Sequence, residues 1–402
     1  MKYFYIQTLD KNNFVPNNDE FLVTDFKYKF YYLLQEELFT FVASPDSSKL
    51  LVYYDTPRDK SSREQFGFHV FDTELNVLWH EYKELLVNDL KYDIDRHVIN
   101  NNGDVFLLGK TEKRNKGSEF TIYAFYNRGE GYTEYKVDFP GLITTEGQLS
   151  LSQDGKLICC GFYTRNDVDK IAGYWFVSFD TNTHEIVNSY HTEFDIDLIT
   201  QNLTYKEEEK TRKKDEKGKN VDLANYEIRE LIPATDGGYF LLGEQLIVQE
   251  KELLPAKHGD DPAIKIFYYY NDIVVLRLNS EGSLVWSQKI AKSQKSLNDG
   301  GYYSSYGVTS QNDNLYFVFN DNEKNLDYDG SGKVYTFRAN QDDVAVVVKL
   351  DTEGAQKRTA LFAIDKRDIV LRAKKCKEIN SGEMIIYGEK KTTQRFARLI
   401  FN

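Results

Sequence analysis

The sequence predicts an all-β fold assembled from repeats of one four-stranded unit, and two patterns carry that prediction. The first is a polar turn followed at once by an apolar run. It occurs six times, as SPDSSKLLVYY (44–54), NNGDVFLLG (101–109), SQDGKLICCGFY (152–163), TDGGYFLLG (235–243), SQNDNLYFVF (310–319) and NSGEMIIYG (380–388). Gly, Asn and Asp supply the tight turn, and the apolar run pairs behind it as a strand. The second pattern is a polar corner downstream of each turn. It is visible five times, as VFDTELNVLW (70–79), AFYNRGEGY (124–132), SFDTNTHEIV (178–187), RLNSEGSLVW (277–286) and KLDTEGAQKR (349–358). Turns and corners alternate, so each repeat reads strand, turn, strand, loop, strand, corner, strand.

A unit of this kind cannot bury both faces of its own sheet and must stack on neighbours. Six copies imply a six-bladed β-propeller of four-stranded antiparallel blades, one domain spanning 1–402. The sixth copy keeps its third strand at 395–401, where the sequence stops. Its fourth strand is expected from the N-terminal KYFYIQTL (2–9), so that N- and C-terminal strands close the ring and remove the last open edge. Leu107, Ile158, Leu241, Phe317 and Ile385 in the apolar runs are expected to be buried between blades. A content of 29 Tyr and 26 Phe suits pleated surfaces.

The couplet of DGGYFLLGE (236–244) with DIVVLRLNSEGSLVW (272–286) resembles the repeat of β-propellers of the quinoprotein-like group. The order and composition of the repeats over residues 36–402 are similar to those of uncharacterised propellers from Bacteroidetes-type bacteria. The resemblance implies the fold and export to the bacterial envelope. It implies no cofactor here. The tryptophan position of the repeat holds Trp79 and Trp286, but Val187 and Arg358 in two other copies, and no complete quinone-docking set is present.

The net charge of −12 argues against a nucleic-acid partner, which needs a basic face. No run of 18 apolar residues occurs, so no transmembrane segment is expected. The start MKYFYIQTLDKNN has no apolar leader core or cleavage site. Read literally it begins in the cytoplasm if Met1 is the native start. The resemblance points instead to the periplasm or cell envelope. Cys159, Cys160 and Cys376 are an odd set with an adjacent pair, and read as buried thiols.

Interruptions of the repeat are where function is expected. Insertions fall at about 201–226, 245–270 and 320–342. The first contains KEEEKTRKKDEKGK (206–219), with balanced charges, and reads as a solvated loop or short exposed helix. The second reads as a protruding hairpin with LLPAKHGDDPA (253–263) at its tip. Its arm carries Phe267, Tyr268, Tyr269 and Tyr270, aromatic anchors for a partner; Tyr302 and Tyr303 join them. The third holds DYDGSGKV (327–334), which matches the first part of a calcium loop. Asp327, Asp329 and Ser331 stand at the first, third and fifth positions, but Arg338 replaces the twelfth-position Glu. Calcium is therefore expected to bind weakly if it binds, and a turn rich in Asp and Gly explains the segment equally.

No nucleophile elbow, phosphate loop or His-Glu-x-x-His motif is present, and no catalytic residue is assigned. None of the six histidines, including His184 and His258, has metal-ligand spacing. Two carboxylates from different blades could still form a glycosidase centre without leaving a motif. Topology sends the long segments 56–65, 110–117, 201–226, 250–263, 293–303 and 320–341 to one face. The expected function is a non-catalytic scaffold that binds another protein through those loops. The alternative is a propeller enzyme or carbohydrate-binding protein using the central funnel, with a glycan as ligand. Inward carboxylates converging with aromatics would mark that alternative.

Overall fold

The computed structural model describes residues 2–8, 15–17, 19–26, 39–55, 63–88, 92–113, 117–152, 154–183, 185–253, 263–339, 343–364, 369–390 and 392–401. The hairpin tip at 254–262, His184, His258 and most of 56–65 lie outside these residues. Strand β1 (Lys2–Ile6) pairs antiparallel with β2 (Phe21–Phe26). Among the described residues six larger antiparallel sheets follow in chain order.

The first sheet is β3 (Phe39–Ala43), β4 (Lys49–Asp55), β5 (Arg63–Asp72) and β6 (Val77–Asn88). The second is β7 (Tyr92–Ile99), β8 (Val105–Glu112), β9 (Ser118–Tyr126) and β10 (Gly131–Val137). In the third, β11 (Ile143–Leu151) and β12 (Leu157–Thr164) are separated by the short β13 (Lys170–Ile171) from β14 (Gly173–Phe179) and β15 (Ile186–Glu193). Helices α1 (Ile196–Thr200) and α2 (Tyr205–Asp215) come next, then β16 (Leu223–Ala224), which pairs with β13.

The fourth sheet is β17 (Tyr226–Pro233), β18 (Tyr239–Leu253), β19 (Ala263–Leu278) and β20 (Leu284–Ile290), with β21 (Gln294–Leu297) also on β19. The fifth is β22 (Gly307–Gln311), β23 (Asn314–Asn322), β24 (Asp343–Leu350) and β25 (Gln356–Ile364). In the sixth, β26 (Val370–Leu371) and β27 (Lys377–Asn380) pair with β28 (Glu383–Lys390), which also pairs with β29 (Thr393–Ile400). The chain divides into two compact units, 1–161 with 177–187, and 162–176 with 188–402. The site described below lies in the second. No helix of the described residues is long and apolar enough to cross a membrane.

The turns explain why the repeat is legible. In six of the hairpins the same bonds recur: Asn100 N donates to Asp104 O, and Gly103 N to Asn100 O, with matching pairs at Asp72, Ser152, Ala234, Asn279 and Asp351. This is a three-residue hairpin loop closed by a left-handed residue. The side chain at its first position does further work where it is polar. Asn100, Asn279 and Asp351 each accept two backbone N–H groups of their own turn. The repeat tryptophans tie a sheet to a turn beyond it. Trp79 Nε1 donates to Gly103 O at 3.0 Å and Trp286 Nε1 to Thr352 O at 2.9 Å.

Leu107, Ile158, Leu241 and Phe317 are fully buried, as their position in the runs requires. Ile385 is only half-buried. Its neighbours Met384 and Ile386 face the cluster of Tyr316, Val318 and Val347, so the two-residue period turns Ile385 to the other, more open face. Lys2–Ile6 also departs from expectation. It does not serve as the fourth strand of the last repeat but pairs with β2, while Phe4 stacks on Phe39 at 3.8 Å. Segment 206–219 is mostly α2, which buries no residue, and β18 with β19 form a long ladder that reaches Leu253 and Ala263.

Candidate functional site

The site grows from a flaw in β17. Ile228 faces Gly243 and Glu230 faces Leu242, which leaves Arg229 as the extra residue of a β-bulge. A bulge breaks the in-out alternation of side chains. Arg229 and Glu230, adjacent in sequence, thereby serve different surroundings.

Arg229 joins a buried charge cluster. Its Nε donates to Glu244 Oε2 at 3.0 Å, and Glu227 lies 3.3 Å from its other nitrogen. Glu244 is fully buried, accepts from Ser305 Oγ at 2.6 Å and pairs with the equally buried Lys292 at 2.8 Å. Lys292 also donates to Tyr270 O and to Gln294 Oε1, at 3.0 and 3.1 Å. Gln294 continues the network to Asn320 O at 2.8 Å. Buried charges are tolerated only when saturated in this way. The cluster holds the connection between the fourth and fifth sheets.

Glu230 stands near Lys377, Glu378 and Tyr306. Its side chain keeps one face open to solvent, while protein surrounds the rest. Burial pushes its carboxyl up to about 7; Lys377 opposes the rise and Glu378 adds to it. Glu378, on β27, is also raised by burial, although the Thr309 hydroxyl and Ser310 amide hold it down in part. Tyr306 is 6% exposed, and its hydroxyl has no hydrogen-bond partner among the described residues. Burial raises that phenol well above its ordinary range, and Glu230 and Glu244 push the same way. Strands β17, β22 and β27 of three successive sheets thus bring Glu230, Thr309, Lys377 and Glu378 together. The arrangement offers a carboxyl that titrates near neutrality, a second carboxyl, an ammonium and an unspent hydroxyl.

The aromatic residues singled out by sequence lie beside this region, mostly engaged within the chain. Tyr270 is buried; Lys374 Nζ lies 4.3 Å from its ring and donates to its hydroxyl at 2.7 Å. Lys295 covers Phe267 and Tyr269 at 4.7 and 5.1 Å. Tyr268 is half-buried. Arg372 lies 3.3 Å from the centre of the Tyr302 ring, which stays 42% exposed, and Tyr303 packs on Phe337 and Ile364. Beneath Tyr302, Glu389 is drawn down to about 2 by the hydroxyls of Tyr302 and Tyr387, with Arg372 assisting.

Asp327 and Asp329 line a separate cavity of about 640 Å³. Ser331 points back at Asp329, which accepts from its amide at 3.0 Å and its hydroxyl at 2.8 Å. These bonds lower the Asp329 carboxyl. Ser331 therefore closes a turn, and among the described residues no group of three His, Cys, Asp or Glu side chains is placed to hold a metal. Sequence reasoning missed Glu230, Tyr306, Lys374 and Glu378. The available signal was charge inside strands expected to be apolar, as in EIREL and KCKEI.

No family model and no curated protein matches the chain. Solved structures share its strand layout distantly. An ulvan lyase of polysaccharide lyase family PL25 is 9% identical, with 90% of this chain and 78% of that one covered and a TM-score of 0.41. The acylaminoacyl peptidase of Pyrococcus horikoshii is 10% identical, with 87% of this chain covered and a TM-score of 0.40; the chain spans only 43% of the peptidase. The exo-β-1,3-galactanase of Phanerochaete chrysosporium is 10% identical, with 80% and 66% covered and a TM-score of 0.38. Likenesses at this level carry no argument about activity.

Proposed function

We propose that this chain is a six-bladed propeller that binds and cleaves a saccharide in a recess lined by the first strands of its blades. The six larger sheets and their shared turn geometry support the blade count. In a radial array the first strand of each blade faces the axis, which makes β17, β22 and β27 the funnel wall. The observation that carries the reading is the convergence of Glu230 and Glu378 there, beside Tyr306 and Lys377. A carboxyl that stays partly protonated at neutral pH suits proton donation to a glycosidic oxygen. A second carboxylate in reach is the other requirement of glycoside hydrolysis. The protein-scaffold reading draws less support, because its aromatic anchors are largely packed or capped by cations of the same chain.

The test is a panel of neutral and acidic oligosaccharides, with binding read by calorimetry and cleavage by released reducing ends. Glu230→Gln should keep binding and lose cleavage. Replacing both Glu230 and Glu378 with Ala should abolish binding as well. A wild-type protein that neither binds nor cleaves any member of the panel at millimolar concentration overturns the reading.

A further inference from the structure

We infer that a second ligand site, for a neutral sugar of one or two rings, lies in the cavity between the fourth and fifth sheets. It shares a ligand class with the recess and none of its residues. At about 640 Å³ the space falls within the size range of small-molecule sites. Its walls come from the end of β20, the start of β25, the loop after β23 and the turn behind α1.

Those walls are held by hydrogen bonds among the lining residues and behind them. Gln201 accepts from Lys289 N at 2.7 Å and donates to Gln288 Oε1 at 3.2 Å. Gln356 donates to Lys289 O at 2.9 Å. The loop after β23 is clamped by the buried Asn325, which donates to Asp321 Oδ1 and to Tyr335 O at 2.7 Å each and accepts from Tyr335 N at 2.8 Å. Leu326 anchors the same loop on the core. A site fixed in advance costs its ligand little ordering.

Charge selects the ligand class. Arg358 is spent on an ion pair with Asp321 and on Ala291 O at 2.5 Å. Lys289 donates to Ile199 O at 2.9 Å and faces Asp272. That leaves Lys357 against Asp327 and Asp329, so the space offers no surplus positive charge to a phosphate or sulfate. Among the described residues Asp327 has no hydrogen-bond or ion-pair partner. What remains is a free carboxylate, a free ammonium, side-chain amides and the Tyr328 ring. Vicinal hydroxyls bond to carboxylate and amide groups, and the C–H face of a sugar packs on an aromatic ring.

The test is calorimetry of the intact protein with glucose, galactose, mannose, xylose and their dimers, with glycylglycine and inorganic phosphate as controls. The variants are Asp327→Asn with Tyr328→Ala, Lys357→Met alone, and the recess pair Glu230→Ala with Glu378→Ala. Binding of at least one sugar should weaken about tenfold or more in the double variant Asp327→Asn with Tyr328→Ala and measurably in Lys357→Met, and should survive in the recess pair. Unchanged binding in the double variant and in Lys357→Met overturns the cavity site. So does tighter binding of glycylglycine or phosphate than of any sugar. Sugar binding lost only in the recess pair overturns the cavity while supporting the recess; loss confined to the cavity variants supports the cavity and removes support from the recess.

Discussion

Glu230 is a residue whose surroundings set both chemistry and stability. An unfolded glutamate titrates near 4.5 and this one near 7. Below pH 4.5 both states carry the proton. Between 4.5 and 7 the unfolded chain releases it first, so native stability falls as pH rises through that window and levels off above it. The open face of the side chain mutes the size of the effect. His69 and His97, lowered by burial, add stability as pH rises through the same window, so the Glu230 effect is read as a difference. The urea midpoint of the wild type relative to Glu230→Gln should fall between pH 4.5 and 7; identical slopes would remove Glu230 as a source. Glu244 poses a different problem at the same scale. Glu244→Leu strands Lys292 and Arg229 without their carboxylate and should cost about 3–5 kcal/mol. The further change Lys292→Met should recover part of that loss in the same denaturation assay. None of this was legible in the chain. A glutamate in a strand looks the same whether it meets solvent, a lysine or another glutamate, and the partners of Glu230 come from segments more than sixty residues away.

Elements were far more readable, because their causes are local. The hairpin turns announce themselves through Gly, Asn and Asp, and the alternation behind them sets each strand. Segment 206–219 has balanced charges and no apolar stripe, and it folds as a helix that owes its form to its own ends. Thr204 and Glu207 make a reciprocal capping box, and Glu208–Arg212 and Glu209–Lys213 pair one turn apart. Thr204→Ala should loosen α2 by about 1 kcal/mol. Since α2 buries nothing, amide exchange within 205–215 should speed up while the global unfolding midpoint stays in place. The 327–334 segment shows the limit of local reading. Its spacing matches a calcium loop, yet Ser331 and Asp329 satisfy each other. Millimolar calcium should leave the melting temperature unchanged, and a rise that Asp327→Asn abolishes would establish a metal site there.

At the scale of the whole molecule, the four-stranded antiparallel unit could be read from the sequence but the fate of the chain end could not. A β-rich segment carries no record of which edge it joins, since every open strand edge offers the same backbone groups. Residues 2–9 looked like a missing fourth strand, and Lys2–Ile6 instead pairs with β2. It rests on the first sheet, where Phe4 and Ile6 pack on Val52, Tyr54 and Phe71 and Phe21 meets Phe71 edge-on at 5.5 Å. Two half-buried apolar side chains contribute about 2–3 kcal/mol together. Removing residues 2–6 should therefore destabilise the first sheet by about that amount. Hydrogen exchange locates the effect: amides of β3 to β6 should lose protection, and those of β27 to β29 should not. Loss of protection confined to β27–β29 would instead place the N-terminal strand on the last repeat and restore closure by the two chain ends.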